Sequence, residues 1–259
     1  MIHRISTIAL HTFKQSVRDK VLYNLVAFAI LMIGASIVFG TISIGIEQIL
    51  LVNLSLSAIE IFGLMIAIFI GISLVWREID RRTLYNVLSK PVARWEFILG
   101  KYAGLLLTLL VNTGVMAAGY YLALFYYTRR FEALDLGSLE AIYFIILELA
   151  IVVGVALVFS CISTPALSAL FTVCIFVIGN LLGDIRWFGH ESAGALMTRL
   201  TALLYYILPN FSDFNFISRV AHGELIPGRV LVSDSFYALL YTVILVSITI
   251  MIFEERELQ

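Results

Sequence analysis

The feature that most limits this chain is a run from Leu149 to Gly183 without one charged side chain. As a single helix it would extend roughly 50 Å at about 1.5 Å per residue, far more than the roughly 30 Å apolar core of a bilayer. The sequence supplies a break inside it. SCISTPA, residues 160–166, offers Ser163 or Thr164 as a helix N-cap and Pro165 for the first helical turn. The run therefore reads as two membrane spans, 139–161 and 165–183, joined by a tight hairpin.

Four further spans follow from the same criterion, at 21–42, 54–76, 98–127 and 235–253. Composition agrees: 61% of residues are hydrophobic and 14% charged, where a soluble domain averages about 45–50% and about 25%. The expected fold is all-α, a polytopic membrane protein of six transmembrane helices forming one transmembrane domain over 1–259. A net charge of -1 gives no global field for nucleic acid.

Even span number puts both termini on one side, and basic residues decide which. One side carries Arg4, Lys14, Arg18, Lys20, Arg77, Arg81, Arg82, Lys90, Arg94, Lys101 and Arg256. The other carries Arg129, Arg130, Arg186, Arg199, Arg219 and Arg229, four of them spread through the long loop 184–234. The termini are expected in the cytoplasm, in a cell (inner or plasma) membrane. The apolar residues of 1–20 are dispersed and no small-x-small cleavage pattern follows the first span, so a signal peptide is not expected. Ile2, Ile5, Ala9, Phe13 and Val17 recur there at helical spacing opposite Arg4, His11, Lys14 and Arg18, which suits a helix in the membrane interface. In the outer loop, ALMTRLTALLYYIL (195–208) is apolar, too short to span, and stopped by Pro209, so it reads as interfacial or re-entrant.

Charge crowds together only in WREIDRRTLYNVLSKPVARWEFILGK, Trp76 to Lys101. Asp80 can cap a short helix with Leu84, Val87 and Leu88 on one face, and Pro91 ends it with Lys90 in its last turn. A connection alone needs neither caps nor an apolar stripe. The stripe suits docking to a protein groove, or equally rest on lipid headgroups.

An interfacial helix, six spans, and RRTLYNVLSKPVARWEFILGKYAG between spans two and three resemble the type-2 ABC transporter permease family. Its pattern of an acidic residue, a TL pair, an LLS-P-like turn, an Arg and a GK pair is matched by Glu78, Thr83, Leu84, Leu88, Ser89, Pro91, Arg94, Gly100 and Lys101. LPNFSDFNF, 208–216, is similar to the family's outer region; Arg82 departs from it, standing where many relatives have Gly. The resemblance implies that 80–91 is a coupling helix within a cytosolic loop, 77–97, that inserts into a separate ABC ATPase subunit. The implied ATPase-coupling residues are Glu78, Asp80, Arg81, Arg82, Thr83, Leu84, Tyr85, Val87, Leu88, Ser89, Lys90, Pro91 and Arg94. It also implies a second permease chain, identical or homologous, membrane lipids as partners, and export of a lipid, drug or other amphiphile. The chain lacks G-x-x-x-x-G-K-[ST], so ATP and Mg are expected on the partner ATPase, with no cofactor on this chain and no enzyme activity of its own.

Inside the spans, Glu148 is the costliest side chain and the first candidate for the translocation path, with Asn112 and Asn180 as further candidates. All three also suit hydrogen bonding between helices. Glu60 is expected near the outer end of its span, within reach of water. GISLV, 71–75, lacks the last glycine of a nucleophile elbow, and none of the four histidines lies near it, which disfavours a hydrolase. A channel-like subunit or a non-transporting scaffold is the remaining competitor, although no filter-like motif is present. Cys161 and Cys174 read as apolar fillers, and no metal spacing is present.

Overall fold

Helix α1 (Ile2–Val17) leads into α2 (Lys20–Ile42), whose first turn is capped by the Asp19 carboxylate accepting from the Val21 N–H at 3.1 Å. There follow α3 (Glu47–Asp80), α4 (Arg94–Thr128), α5 (Leu134–Ile162), α6 (Pro165–Glu191) and α7 (Ala195–Ile207). A 3-10 turn at Ser212–Phe214, the short α8 (Ile217–Ala221) and α9 (Gly228–Glu255) complete the chain. The computed structural model describes residues 2–43, 45–80, 93–129, 134–191 and 195–255. Among these there is no strand, and six helices are long and apolar enough to cross a membrane.

The hairpin inside the long apolar run forms where the sequence places it. Thr164 immediately precedes α6, its carbonyl accepts the Ser168 N–H at 2.8 Å, and Pro165 occupies the first helical position. Helix α3 departs from expectation. It begins at Glu47, whose carboxylate accepts from the Gly45 N–H, and not near residue 54. Polar Asn53, Ser57 and Glu60 lie within it. Glu60 is therefore the middle residue of the apolar length Glu47–Ser73, not a residue of its outer end.

Helices α3 and α5 form the centre of the bundle. Their most apolar windows are 61% and 72% buried, against 22–28% for α2, α6 and α9 at the periphery. Small residues set their approach: a Cβ on Gly63 would stand 2.6 Å from Leu149 Cδ1, and one on Gly71 3.5 Å from Ala156. Neighbours are joined by polar contacts that escape desolvation, among them Ser36 with Ser55 (2.9 Å), Tyr120 with Ser138 (2.7 Å) and the Tyr102 hydroxyl donating to the Ala150 carbonyl (3.1 Å). The outward faces of α2, α6 and α9 carry exposed Phe28, Leu31, Leu170, Leu239 and Met251, as membrane-facing helices must.

Helix α1 packs along α4. Ile5, Ala9, Phe13 and Val17 of the expected stripe are partly buried, as is Ile8, while Thr12 and Ser16 beside them are fully buried. The reason is GKYAG in α4. A Cβ on Gly100 would meet Ile8 at 2.7 Å, and one on Gly104 would meet the Ala9 carbonyl and Thr12 Cβ at 2.6 Å. Two glycines four residues apart let the helix backbones touch, and small Thr12 and Ser16 fit into that gap.

Candidate functional site

Three places concentrate polar chemistry. The first lies at the middle of the apolar span. Glu148 is 1% exposed and its Oε1 has no hydrogen-bond partner. The Asn180 side chain of α6 lies beside the carboxyl group, with its Nδ2 donating to the Phe176 carbonyl of its own helix at 3.2 Å, and half-buried Glu60 of α3 is close enough to act on the Glu148 charge. Gly63, one turn along α3 from Glu60, admits Leu149 and so holds α5 against α3 at this level. Of the expected path residues, the fold thus brings Glu148 and Asn180 together. Asn112 satisfies itself on its own helix, with Nδ2 donating to the Thr108 carbonyl at 2.6 Å. Glu60 joins the group at mid-span because α3 starts at Glu47 and α5 packs closely on it at Gly63.

The second place flanks the basic passage. Glu78 and Asp80 lie on the last turn of α3, so Asp80 ends a long helix where a cap for a new one was expected. Arg81, Arg82, Thr83, Leu84, Tyr85, Val87, Leu88, Ser89, Lys90 and Pro91 fall outside the described residues. Beyond them, Arg94 opens α4 and donates to the Glu254 carbonyl at 2.6 Å, a cation against the C-terminal end of α9. Glu96 accepts from the Ala93 N–H at 3.3 Å and faces the Arg4 guanidinium of α1 at 3.8 Å. Phe97 stacks on Phe253 with ring centroids 5.7 Å apart, and buried Lys101 holds its ammonium 5.5 Å over the Phe97 ring. The first two turns of α4 are therefore fastened both to α1 and to α9.

The third place closes the opposite end of the bundle. LPNFSDFNF folds as a clasp in which Phe211, Phe214 and Phe216 are buried. Phe216 packs on Phe144 of α5 (4.5 Å) and Phe211 on Phe176 of α6 (5.4 Å). Gly179 makes room, since a Cβ there would stand 2.4 Å from Phe211 and 2.5 Å from the Pro209 carbonyl; its own carbonyl accepts the Phe211 N–H at 3.1 Å. Asn210 is the hub. Its Nδ2 donates to Asp213 at 2.7 Å, its Oδ1 accepts from Ser212 at 2.6 Å, and its N–H donates to the Tyr237 hydroxyl at 3.0 Å. Burial, aided by the charge of Asp234 and opposed by the Asn210 bond, pushes the Asp213 carboxyl above the ordinary range.

The described chain thus combines six long apolar helices, a lead helix packed on α4 and an aromatic clasp after the fifth span. The family model described as ABC-2 family transporter protein matches residues 6–258. The chain belongs to this family. It is therefore a multi-pass transporter permease, and the family implies an ABC ATPase as its partner. A search of curated proteins gives no match. Among the described residues no group of three or more His, Cys, Asp or Glu could hold a metal ion.

Sequence reasoning missed the α1–α4 contact, although GKYAG carries the small-xxx-small signal for it. It also missed Glu96, Phe97 and Phe253, which no motif marks.

Proposed function

We propose that this chain forms the translocation path of an ATP-driven exporter of amphiphiles, such as a lipid or drug. It would work with a second permease chain, with ATP and Mg held on ATPase subunits that dock on residues 80–91. The observation that carries the reading is the family match over 6–258. The continuity of α3 supports the coupling route. From Glu60 to Asp80 the helix is unbroken, about 30 Å at about 1.5 Å per residue. Displacement of the passage after Asp80 would reach the acidic pair at mid-span through one rigid element. On the other side of the passage, the fastened start of α4 would carry the same displacement to α1 and α9.

Glu148, Glu60 and Asn180 are the proposed polar lining of the path. Two carboxyl groups at mid-membrane are expensive unless they meet water, a proton or a ligand. The basic-residue asymmetry supports a cytoplasmic position for the passage and both termini in a cell membrane.

Purification of the chain with its ATPase, followed by ATP-driven transport of fluorescent amphiphiles in proteoliposomes, tests the reading. Transport should require ATP, and Glu148→Gln should lower it while assembly and basal ATPase activity persist. A chain that binds no ATPase, or moves solute passively without ATP, would contradict the exporter reading in favour of a scaffold or channel-like subunit. Unchanged transport by Glu148→Gln would remove only its role in the path.

A further inference from the structure

The corner between α1 and α2 holds a feature the transport reading does not use. A cavity of about 550 Å³ opens there, lined by His11, Lys14, Gln15, Arg18 and Asp19. Residues 11, 14 and 15 share one face of α1, at i, i+3 and i+4, and Arg18 follows in the turn just past its end. His11, Lys14 and Arg18 are exposed and form no ion pair among the described residues. The lining holds one acid, Asp19, whose carboxylate accepts from the Val21 N–H at the start of α2, against the two full cations Lys14 and Arg18. The cavity is thus a cationic recess.

Its depth is fixed by the chain. Lys20 is the last charged residue before the uncharged run from Val21 to Ile46, so the recess stands where polar and apolar phases meet. Exposed apolar side chains neighbour the lining along the chain: Leu10 precedes His11, Val21 bonds Asp19 through its N–H, and Tyr23 lies two residues further on; they are 49%, 48% and 56% exposed. A recess for a soluble anion needs cations alone. One that joins cations to exposed apolar side chains at the headgroup level suits a molecule with an anionic head and acyl tails.

We propose that this recess is a binding site for the phosphate headgroup of an anionic phospholipid, with Lys14 and Arg18 on the phosphate and Val21 and Tyr23 against its acyl chains. The bound lipid would brace α1 against α4, to which Gly100 and Gly104 already hold it. The inference rests on the membrane-spanning fold and not on the proposed export.

The test is native mass spectrometry of the full chain released from mixed phosphatidylcholine and phosphatidylglycerol vesicles. The wild type should retain phosphatidylglycerol preferentially. Lys14→Gln with Arg18→Gln should weaken that preference roughly 25-fold, about fivefold for each basic side chain. Lys14→Arg should keep it, which separates lost charge from lost folding. Thermal unfolding in neutral detergent should be the same for all variants. Equal lipid retention by the double variant would overturn the proposal. Full displacement of the lipid by inorganic phosphate would instead identify a free-anion site. Unchanged lipid retention with loss of the ATPase partner would make the recess a protein contact, and the proposal would fall.

Discussion

Replacement of Gly104 by alanine probes the contact that seats α1. The added Cβ would stand 2.6 Å from the Ala9 carbonyl oxygen and 2.6 Å from Thr12 Cβ. Neither atom is the far end of a flexible side chain, so the helices must separate. Overpacking of this kind costs about 1–3 kcal/mol. Alanine also gains up to about 1 kcal/mol in helix propensity over glycine, which would mask part of the loss. Gly114 on the same helix supplies the correction, because nothing lies within 4 Å of a Cβ there. The difference between Gly104→Ala and Gly114→Ala therefore isolates the overpacking, about 1–3 kcal/mol. For a chain of this size that is a separation of roughly 2–12 °C in unfolding midpoint. Tryptophan fluorescence during heating in detergent would read it, with proteolysis reporting release of α1. Equal midpoints for the two variants, with α1 still protected, would refute the close-packed α1–α4 contact.

Three further outcomes follow from the geometry. The raised Asp213 means that the folded state keeps a proton the unfolded chain has lost, so its contribution is greatest below the unfolded value of about 3.9 and is lost as pH rises through the folded one. Asp213→Asn should flatten that part of the stability–pH curve, measured by unfolding between acidic and neutral pH; an unchanged slope would show that Asp213 does not titrate differently in the clasp. Arg94→Ala removes the bond to the Glu254 carbonyl, about 1 kcal/mol, and should speed hydrogen exchange at the end of α9; unaltered exchange there would deny the link. Single cysteines at Ser89 and Ser212, in a chain lacking Cys161 and Cys174, should label from opposite sides of the membrane; labelling of both from one side would break the six-span topology.

Much of the architecture is legible in the sequence because burial in lipid tolerates few charges. The uncharged run broken at Thr164–Pro165 identifies two helices and their hairpin, and the structure keeps both. The early start of α3 is less legible. Glu47 and Asn53 fall outside the expected span 54–76, yet they are helical because Ser55 bonds Ser36 and Leu51, Val52 and Leu56 are buried in the core. The pairing of Glu60 with Glu148 depends on that shift and on α5 settling over Gly63, which no local pattern encodes. Asn210 as a hub is equally hidden, since its partners Asp213 and Tyr237 meet only after the clasp folds.

The central claim is that the passage between α3 and α4 couples this permease to a separate ATPase. Leu84 and Leu88 stand on one face of the expected coupling helix, and burial of each in a docking groove should contribute about 1.5–3 kcal/mol. Leu84→Asp combined with Leu88→Asp removes that burial and forces carboxylates towards an apolar groove. The deciding measurement is co-purification of the ATPase with this double variant, alongside ATP-driven transport in the same vesicles. The account predicts a permease that still inserts and unfolds at the wild-type temperature, with the ATPase lost and transport abolished. Full recovery of the ATPase together with coupled transport would contradict it.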